Sequence, residues 1–425
     1  MLRYISVFAI IIFFTSFLSF SEANVGLTVF DDNYIVEKFV SGLDFPTTID
    51  FVGNDLLVLE KMTGKVIRIN ENGEIDKEPV LVVPAAQDAE GGLLGIVTTP
   101  NHVFLYFTEH RSTYYVHTPP KNTVYQYDWD GKNLTNPILI KELSADSPIH
   151  NGGVFATGKN GEIYFVMGDD QKSTRTPNIP SNPTDLLIKS TCCTGSIFKI
   201  HTNDNNRVEL FAVGIRNSFG LAVDPVTGYL WQTENGVLVY DEINLVKNGF
   251  NSGWKSIMGP ADRVDAWIDT SDLIPPLQGF VYSDPEFSWH TTIGVTAIAF
   301  PDMNNFGNYQ DWLFVGDINN GKIYKFHLNS DRTEFIFSTP NLRDLVYDGG
   351  DELNEIIFAE AFSGGITDIK FGNDAMYVVS PFDNGSIYKI YPKQTSFPYG
   401  IILVGIVIAI IILAGIKIIQ NNYDV

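Results

Sequence analysis

The residues best suited to acid–base chemistry lie in one segment near the middle of the chain. His150 comes directly before a pair of glycines, and a short apolar run then ends at Asp169 and Asp170. Both ends of a short hairpin reach a common rim, where an imidazole and two carboxylates can share one pocket. A histidine before two glycines is also a common turn residue, and the aspartates can equally cap loop amides. The segment alone therefore leaves both interpretations open.

Two later segments carry polar residues of the same kind. Arg216 and Asn217 lie in a glycine-bounded segment, 214–220, and Asn235 lies in a Thr-Glu-Asn-Gly turn. Asp241 and Glu242 follow within the next strand-like run. Arg216 can stabilise charge in a site or form an ion pair in a channel, and the two acids can hold a loop through backbone amides. These segments gain meaning only if the fold brings them together.

A recurring β unit would bring them together. Residues 24–398 consist of short β runs separated by Gly, Asn, Asp and Pro, in about six copies of one unit that typically ends in a strand of the form Gly-x-Ile-x-x-Ile. One small sheet cannot bury both of its faces, whereas sheets stacked around an axis can. We therefore predict an all-β fold, a six-bladed β-propeller; a pair of β-sandwiches or a β-helix is the alternative. His150, Asp169, Arg216 and Asn235 would meet where the blade loops converge.

Composition limits the possible partners. The chain carries 50 acidic and 28 basic residues, a formal charge of −22. This balance argues against binding to nucleic acid, whose phosphates need Lys and Arg, and it favours cations such as calcium. The two cysteines, Cys192 and Cys193, are adjacent. They can form a vicinal disulfide, but we expect two small buried residues, since a buried free cysteine behaves as a small hydrophobe.

Both ends of the chain are apolar. Residues 1–23 have the pattern of a secretory signal peptide, with an uncleaved anchor as the alternative. Residues 399–419 are long and apolar enough for a transmembrane helix. We predict a propeller over 24–392, a stalk over 393–398 and a cytoplasmic tail over 420–425. The predicted localisation is the cell membrane, single-pass, with the propeller on the extracytoplasmic, extracellular side.

Segments 90–95, 150–170, 214–222, 233–236 and 241–244 together resemble the glucose/sorbosone dehydrogenase family, quinoprotein aldose dehydrogenases built on a six-bladed β-propeller. The resemblance implies an oxidoreductase that transfers a hydride from C1 of a sugar to pyrroloquinoline quinone (PQQ), with calcium polarising the quinone. It assigns a catalytic role to His150 as the base, to Arg216 as the charge stabiliser, and to Asp169. It assigns cofactor binding to Arg216, Asn217, Lys61 and Glu90. It assigns the cofactor's calcium to the backbone carbonyls of Gly236 and Val237, and it links Glu242, with Asp241, to a second calcium found in some members.

The sequence departs from this family at three positions. The family binds the carboxylates of PQQ largely with one lysine and two arginines, and Asn319, Gly365 and Thr367 stand here instead. The cations that remain as candidate substitutes are Lys61, Lys172, Arg175 and Arg216. We therefore predict a membrane-tethered aldose dehydrogenase, and keep as the alternative a non-catalytic propeller that binds a glycan or protein at the cell surface. A calcium-dependent lactonase is a third possibility by fold analogy alone.

Overall fold

The structure, a computed structural model, describes residues 26–112, 118–170, 193–263, 279–301 and 306–393. Within these ranges nearly all regular structure is β-strand. Helical structure there is limited to one short α-helix, Leu353–Ile356, and to 3-10 turns such as Pro340–Asp344 and Gly350–Glu352.

The strands are numbered in chain order. They are β1 (Thr28–Val29), β2 (Tyr34–Val40), β3 (Pro46–Val52), β4 (Asp55–Glu60), β5 (Lys65–Ile69), β6 (Leu81–Val82), β7 (Leu93–Thr98), β8 (His102–Glu109), β9 (Lys121–Trp129), β10 (Leu134–Ser144), β11 (Phe155–Thr157), β12 (Ile163–Met167), β13 (Ser196–His201), β14 (Arg207–Val213), β15 (Gly220–Val223), β16 (Leu230–Glu234), β17 (Val239–Val246), β18 (Phe250–Asn251), β19 (Val281–Tyr282), β20 (Phe287–Thr291), β21 (Val295–Ala299), β22 (Trp312–Asp317), β23 (Ile323–His327), β24 (Val346–Tyr347), β25 (Ile357–Glu360), β26 (Asp368–Gly372), β27 (Ala375–Ser380) and β28 (Ser386–Pro392).

These strands form six sheets, numbered here in chain order. Their strand orders are β3-β4-β5-β6, β7-β8-β9-β10, β11-β12-β13-β14-β18-β19, β15-β16-β17-β20-β24, β21-β22-β23-β25-β1 and β26-β27-β28-β2. The first strands of successive sheets, β3, β7, β11, β15, β21 and β26, contact one another around a closed ring. The predicted all-β propeller is confirmed, and each sheet contains one copy of the predicted repeat.

Many strands are apolar along most of their length because each sheet is buried on both faces. In β4, Leu57 and Leu59 pack against sheet 2, whereas Leu56 and Val58 pack against sheet 6. Successive side chains of a strand point to opposite faces, so a sheet covered on both sides needs apolar residues at every position. A cluster of buried residues of this kind separates each sheet from the next around the ring.

The ring is closed by a strand from near the start of the chain. Strand β2 pairs antiparallel with β28 and completes sheet 6, with Val36 opposite Ile390. Strand β1 joins sheet 5 in the same way, through β25. The repeat pattern did not predict these pairings, because they join residues more than 300 positions apart and leave no local periodicity.

Two predictions are wrong, and several others lie outside the described residues. The predicted single-pass membrane localisation is contradicted: among the residues that the structure describes, no helix is long and apolar enough to cross a membrane. The predicted signal peptide, spanning helix, tail and all of the stalk except Lys393 lie outside the described residues. The expectation of two free cysteines is also wrong, because Cys193 is disulfide-bonded; Cys192 lies outside the described residues.

Candidate active site

Loops at one end of the ring surround a cavity of about 330 Å³. All six sheets contribute to its wall, because the cavity lies where the first strands begin and the second strands end. Each sheet contributes lining residues from its strands or from the loops beside them. In chain order, one from each sheet, they include Thr47, Glu90, Gly152, Asn217, Asn319 and Thr367. Residues far apart in the sequence therefore meet here, as expected for a propeller.

His150 lies next to the cavity lining and is bonded to it through its backbone, but it is not itself one of the lining residues. Its N–H group donates a hydrogen bond to the carboxylate of Glu90, which lines the cavity. Its φ of 62° lies in the left-handed region, which non-glycine residues seldom adopt. Gly153 follows with φ 109°, and a Cβ atom there would lie 2.8 Å from the side chains of Leu94 and Tyr106. Only glycine allows this turn to pack so closely on sheet 2.

The His150 side chain is paired with Asp169. Its Nδ1 lies 2.6 Å from Asp169 Oδ1, and the side chain is almost completely buried, at 6% exposure. The other carboxylate oxygen of Asp169 accepts a hydrogen bond of 2.7 Å from Trp254 Nε1. Because a carboxylate only accepts, the proton in the first bond belongs to Nδ1, which leaves Nε2 as the basic nitrogen. This tautomer is the one that a general base requires.

Arg216 lies on the other side of Asp169. Its carbonyl oxygen accepts the Asp169 N–H at 2.8 Å, and its Nη1 donates to the carbonyls of Asn235 and Gly236 at 2.7 and 2.9 Å. The guanidinium carbon lies 5.4 Å from the Trp254 ring centroid. Burial lowers the pKa of Arg216, although nearby acids oppose the shift. The predicted grouping of His150, Asp169, Arg216 and Asn235 is therefore present in the described structure.

Two buried carboxylates lie behind Arg216. Glu234 accepts hydrogen bonds from the Arg216 N–H at 2.6 Å and the Ser252 hydroxyl at 2.7 Å. Burial raises the pKa of Glu234 to about 7. Glu242 stands opposite Glu234 in the β16–β17 register and accepts the Gly259 N–H at 2.6 Å. Burial, reinforced by the charge of Glu234, raises the pKa of Glu242 well above its usual range.

Among the described residues, two amide oxygens beside these carboxylates find no hydrogen-bond partner. They are Gln232 Oε1 and Asn244 Oδ1, which belong to opposite residues of β16 and β17. Asp241 differs, because its carboxylate accepts the backbone N–H groups of Gly236, Ile293 and Gly294 at 2.7 to 2.9 Å. Asp241 thus holds two loops in place through their backbone amides, which is the second of the two roles that the sequence left open for it.

The remaining predicted site residues are divided between two places. Asn217, Lys61 and Glu90 line the cavity. Gly236 contacts Arg216 through its carbonyl, and Val237 is 39% exposed on the same loop. Glu242 accepts hydrogen bonds from the Gly259 N–H group and from the Asn244 side chain. The calcium set remains a prediction, and the described residues contain no cluster of three or more His, Cys, Asp or Glu side chains.

The three departures from the family also surround the cavity. Asn319 and Thr367 line it directly. Gly365 has φ 64°, and a Cβ atom there would overlap the carbonyl oxygen of Ile318. Among the described lining residues Lys61 is the one cation and Glu90 the one anion. Of the other candidate substitutes, Arg216 donates to loop carbonyls, and Lys172 and Arg175 lie outside the described residues.

Sequence reasoning missed Trp254 and Glu234 as members of the site. Trp254 lies 85 residues after Asp169, and a Gly-Trp pair has no distinctive chemistry in sequence. Glu234 had a weak signal, since it is an acid that directly follows the strand-like run 230–233. Its burial beneath Arg216 could not be foreseen from that signal alone.

Comparison with known proteins assigns this architecture to a family. The sequence model of the family described as Glucose / Sorbosone dehydrogenase matches residues 43–387. The chain belongs to this family. The family prediction is thereby confirmed, and with it the prediction that the protein belongs among oxidoreductases.

Individual relatives of the family are distant in sequence. The chain is 23% identical to an aldose sugar dehydrogenase of Escherichia coli over 84% of this chain and 93% of the relative. It is 28% identical to quinoprotein glucose dehydrogenase B of Acinetobacter calcoaceticus over 54% of each chain. Among solved structures, the PQQ-bound aldose sugar dehydrogenase of Streptomyces coelicolor matches with a TM-score of 0.60 at 20% identity, covering 84% of this chain and 98% of that one. At such identity the structural match supports the fold alone.

Proposed function

We propose that this protein is a sugar dehydrogenase in which His150 removes the proton of the reacting hydroxyl while the hydride leaves the same carbon. The observation that carries the proposal is the hydrogen-bonded chain from His150 through Asp169 to Trp254, beside the central cavity of a family member. The proton goes to His150 Nε2, and the hydride goes to a separate two-electron acceptor.

Asp169 supports this step in two ways. Its hydrogen bond to Nδ1 fixes the tautomer that leaves Nε2 free. Its negative charge also stabilises the imidazolium that forms when Nε2 takes the proton. Both effects are strengthened by the burial of the pair, since a low local dielectric increases electrostatic interactions.

Arg216 is the proposed charge stabiliser. Two loop carbonyls and the Trp254 ring hold its guanidinium in place, so it need not reorganise as charge develops nearby. Its buried Nε has no hydrogen-bond partner among the described residues.

PQQ as the acceptor is supported by relatives, one of which was solved in a PQQ-bound form. The described wall of the cavity does not fit this cofactor. Its carboxylates would need paired cations on burial, whereas the wall offers Lys61 and the opposing charge of Glu90. No step of the proposed reaction is therefore assigned to PQQ.

Calcium fits the described residues better, at the predicted ligand Glu242. Glu242 and Glu234 supply two buried carboxylates, and Gln232 and Asn244 supply unpaired amide oxygens. Oxygen ligands of these types are those that calcium prefers. We propose that Glu242 and Glu234 would hold the ion, which would neutralise their charge beneath Arg216.

A non-catalytic propeller remains the second candidate. It is favoured by the loss of all three family cations at Asn319, Gly365 and Thr367, which would leave a scaffold that binds a glycan or protein. The two candidates differ in turnover, since only the first requires a base at His150.

Turnover is tested with a panel of aldoses and an artificial electron acceptor, with and without added PQQ and calcium. We expect the wild-type protein to oxidise at least one aldose and His150→Ala to lose this activity while keeping its melting temperature. Activity retained in His150→Ala would exclude the assigned base. A folded wild-type protein with no activity in any condition would favour the binding propeller.

A further inference from the structure

The charges in the wall of the central cavity are already engaged with the protein. Lys61 Nζ donates to the carbonyls of Ala89 at 2.8 Å and Asp88 at 3.2 Å. The Glu90 carboxylate accepts the His150 N–H. The two side chains carry opposite charges, so the described wall has no net charge and no uncommitted cation.

The backbone itself excludes one of the missing cations. Because a Cβ atom at Gly365 would overlap the Ile318 carbonyl, no arginine fits there without moving the loop. Thr367 directs its hydroxyl to the Pro46 carbonyl at 3.2 Å. The wall therefore lacks these cations because of its backbone conformation as well as its side chains.

Uncharged polar groups and aromatic rings take their place. The amides of Asn217, Asn235 and Asn319 line the cavity, and Asn217 Oδ1 is buried with no hydrogen-bond partner among the described residues. Phe45 and Phe382 also line it, with ring centroids 5.1 Å apart at 82°. Phe382 is 64% exposed, so much of this lining residue is accessible.

Amides, hydroxyls and aromatic rings are the groups that recognise an uncharged ring bearing several hydroxyls. The volume of about 330 Å³ lies in the range of small-ligand sites. We propose that the central cavity binds an uncharged monosaccharide directly, in the space where the family resemblance places a polycarboxylate cofactor. The choice of a sugar rests on the proposed function, whereas the preference for an uncharged ligand rests on the wall alone.

The test is calorimetric titration of the wild-type protein with three probes: D-glucose and other neutral aldoses, D-glucuronate, and PQQ. Glucose and glucuronate differ by one carboxylate, so their ratio isolates the effect of charge. We expect a neutral aldose to bind, its uronate to bind at least about tenfold more weakly, and the quinone not to saturate. Saturable quinone binding tighter than that of every neutral aldose overturns the proposal, as does a failure of all neutral aldoses to bind.

Two variants reverse the chemistry of the wall. Asn319→Lys and Thr367→Arg each restore a cation, and both should weaken the neutral aldose and strengthen glucuronate and the quinone by about tenfold or more. Asn203→Lys, in the exposed turn between β13 and β14, adds the same charge away from the cavity and should change none of these affinities. An unchanged aldose-to-uronate ratio in both cavity variants overturns the proposal. Because the readout is binding, its outcome does not depend on whether the protein oxidises the sugar, which separates this test from that of turnover.

Discussion

Replacing Asp169 by asparagine would test how the His150 imidazole is prepared for catalysis. In the native site, each carboxylate oxygen accepts one N–H group, from His150 at 2.6 Å and from Trp254 at 2.7 Å. Asparagine has one oxygen and one NH₂ group in the same space. If its oxygen faces Trp254, its NH₂ group faces Nδ1, and the imidazole must carry its proton on Nε2. If the amide is reversed, its NH₂ group faces the Trp254 N–H group, and two donors meet there without an acceptor.

Either arrangement removes the base or its support. A hydrogen bond to a charged group stabilises by about 1.5–3 kcal/mol, and general base catalysis typically contributes about 10²–10⁴-fold. We therefore expect Asp169→Asn to lower kcat by roughly 10²-fold or more, with little change in KM. The matched control is Asp170→Asn, because Asp170 accepts the N–H groups of Ser147 and Asp146 at 2.8 and 3.2 Å and serves the loop.

Two measurements check this prediction. Steady-state kinetics with an aldose and an artificial acceptor give kcat and KM for both variants. Nitrogen NMR of the imidazole reports the tautomer of His150 and does not depend on turnover. An Asp169→Asn protein with wild-type kcat and a proton still on Nδ1 would refute the assigned role of the carboxylate. A loss of activity in Asp170→Asn equal to that in Asp169→Asn would refute it too.

Three further outcomes are expected. Gly153→Ala should lower the free energy of unfolding by roughly 1–3 kcal/mol in chemical denaturation, because its methyl group would meet Leu94 and Tyr106. An unchanged free energy of unfolding would contradict this close packing. Burial raises the pKa of Glu234 to about 7 in the folded protein, above its ordinary value in the unfolded chain. Between these two values the native state therefore binds more protons than the unfolded state. Glu234 should therefore contribute about 3 kcal/mol to the fall in stability, measured with a chelator, as pH rises from 4.5 to about 7. Glu234→Gln should make the fall smaller by that amount without abolishing it, because burial also raises the pKa of Glu286 to about 7. Calcium should raise the melting temperature more at pH 8 than at pH 6, since Glu242 must lose its proton to bind the ion. If calcium raises the melting temperature of Glu242→Gln as much as that of the wild-type protein, Glu242 is not a ligand.

The repeating pattern of the sequence was sufficient to predict the architecture. Strands such as β4 and β12 are short, apolar and bounded by turn residues, and their composition reflects burial on both faces. The motif around His150 also pointed to Asp169, because a hairpin holds its two ends close together whatever the rest of the fold. Family resemblance then supplied the remaining partners, Arg216 and Asn217.

The tertiary structure decided what depends on loops from different sheets. The bond from Trp254 to Asp169 and the pairing of β2 with β28 join residues that share no local pattern, so only closure of the ring brings them together. The neutral wall of the cavity has the same origin. The substitution at Gly365 is visible in the sequence, but the carbonyl of Ile318 that bars a side chain there belongs to the neighbouring sheet. Local patterns specify strands and turns, whereas the shape and charge of a central cavity are set by how six sheets meet.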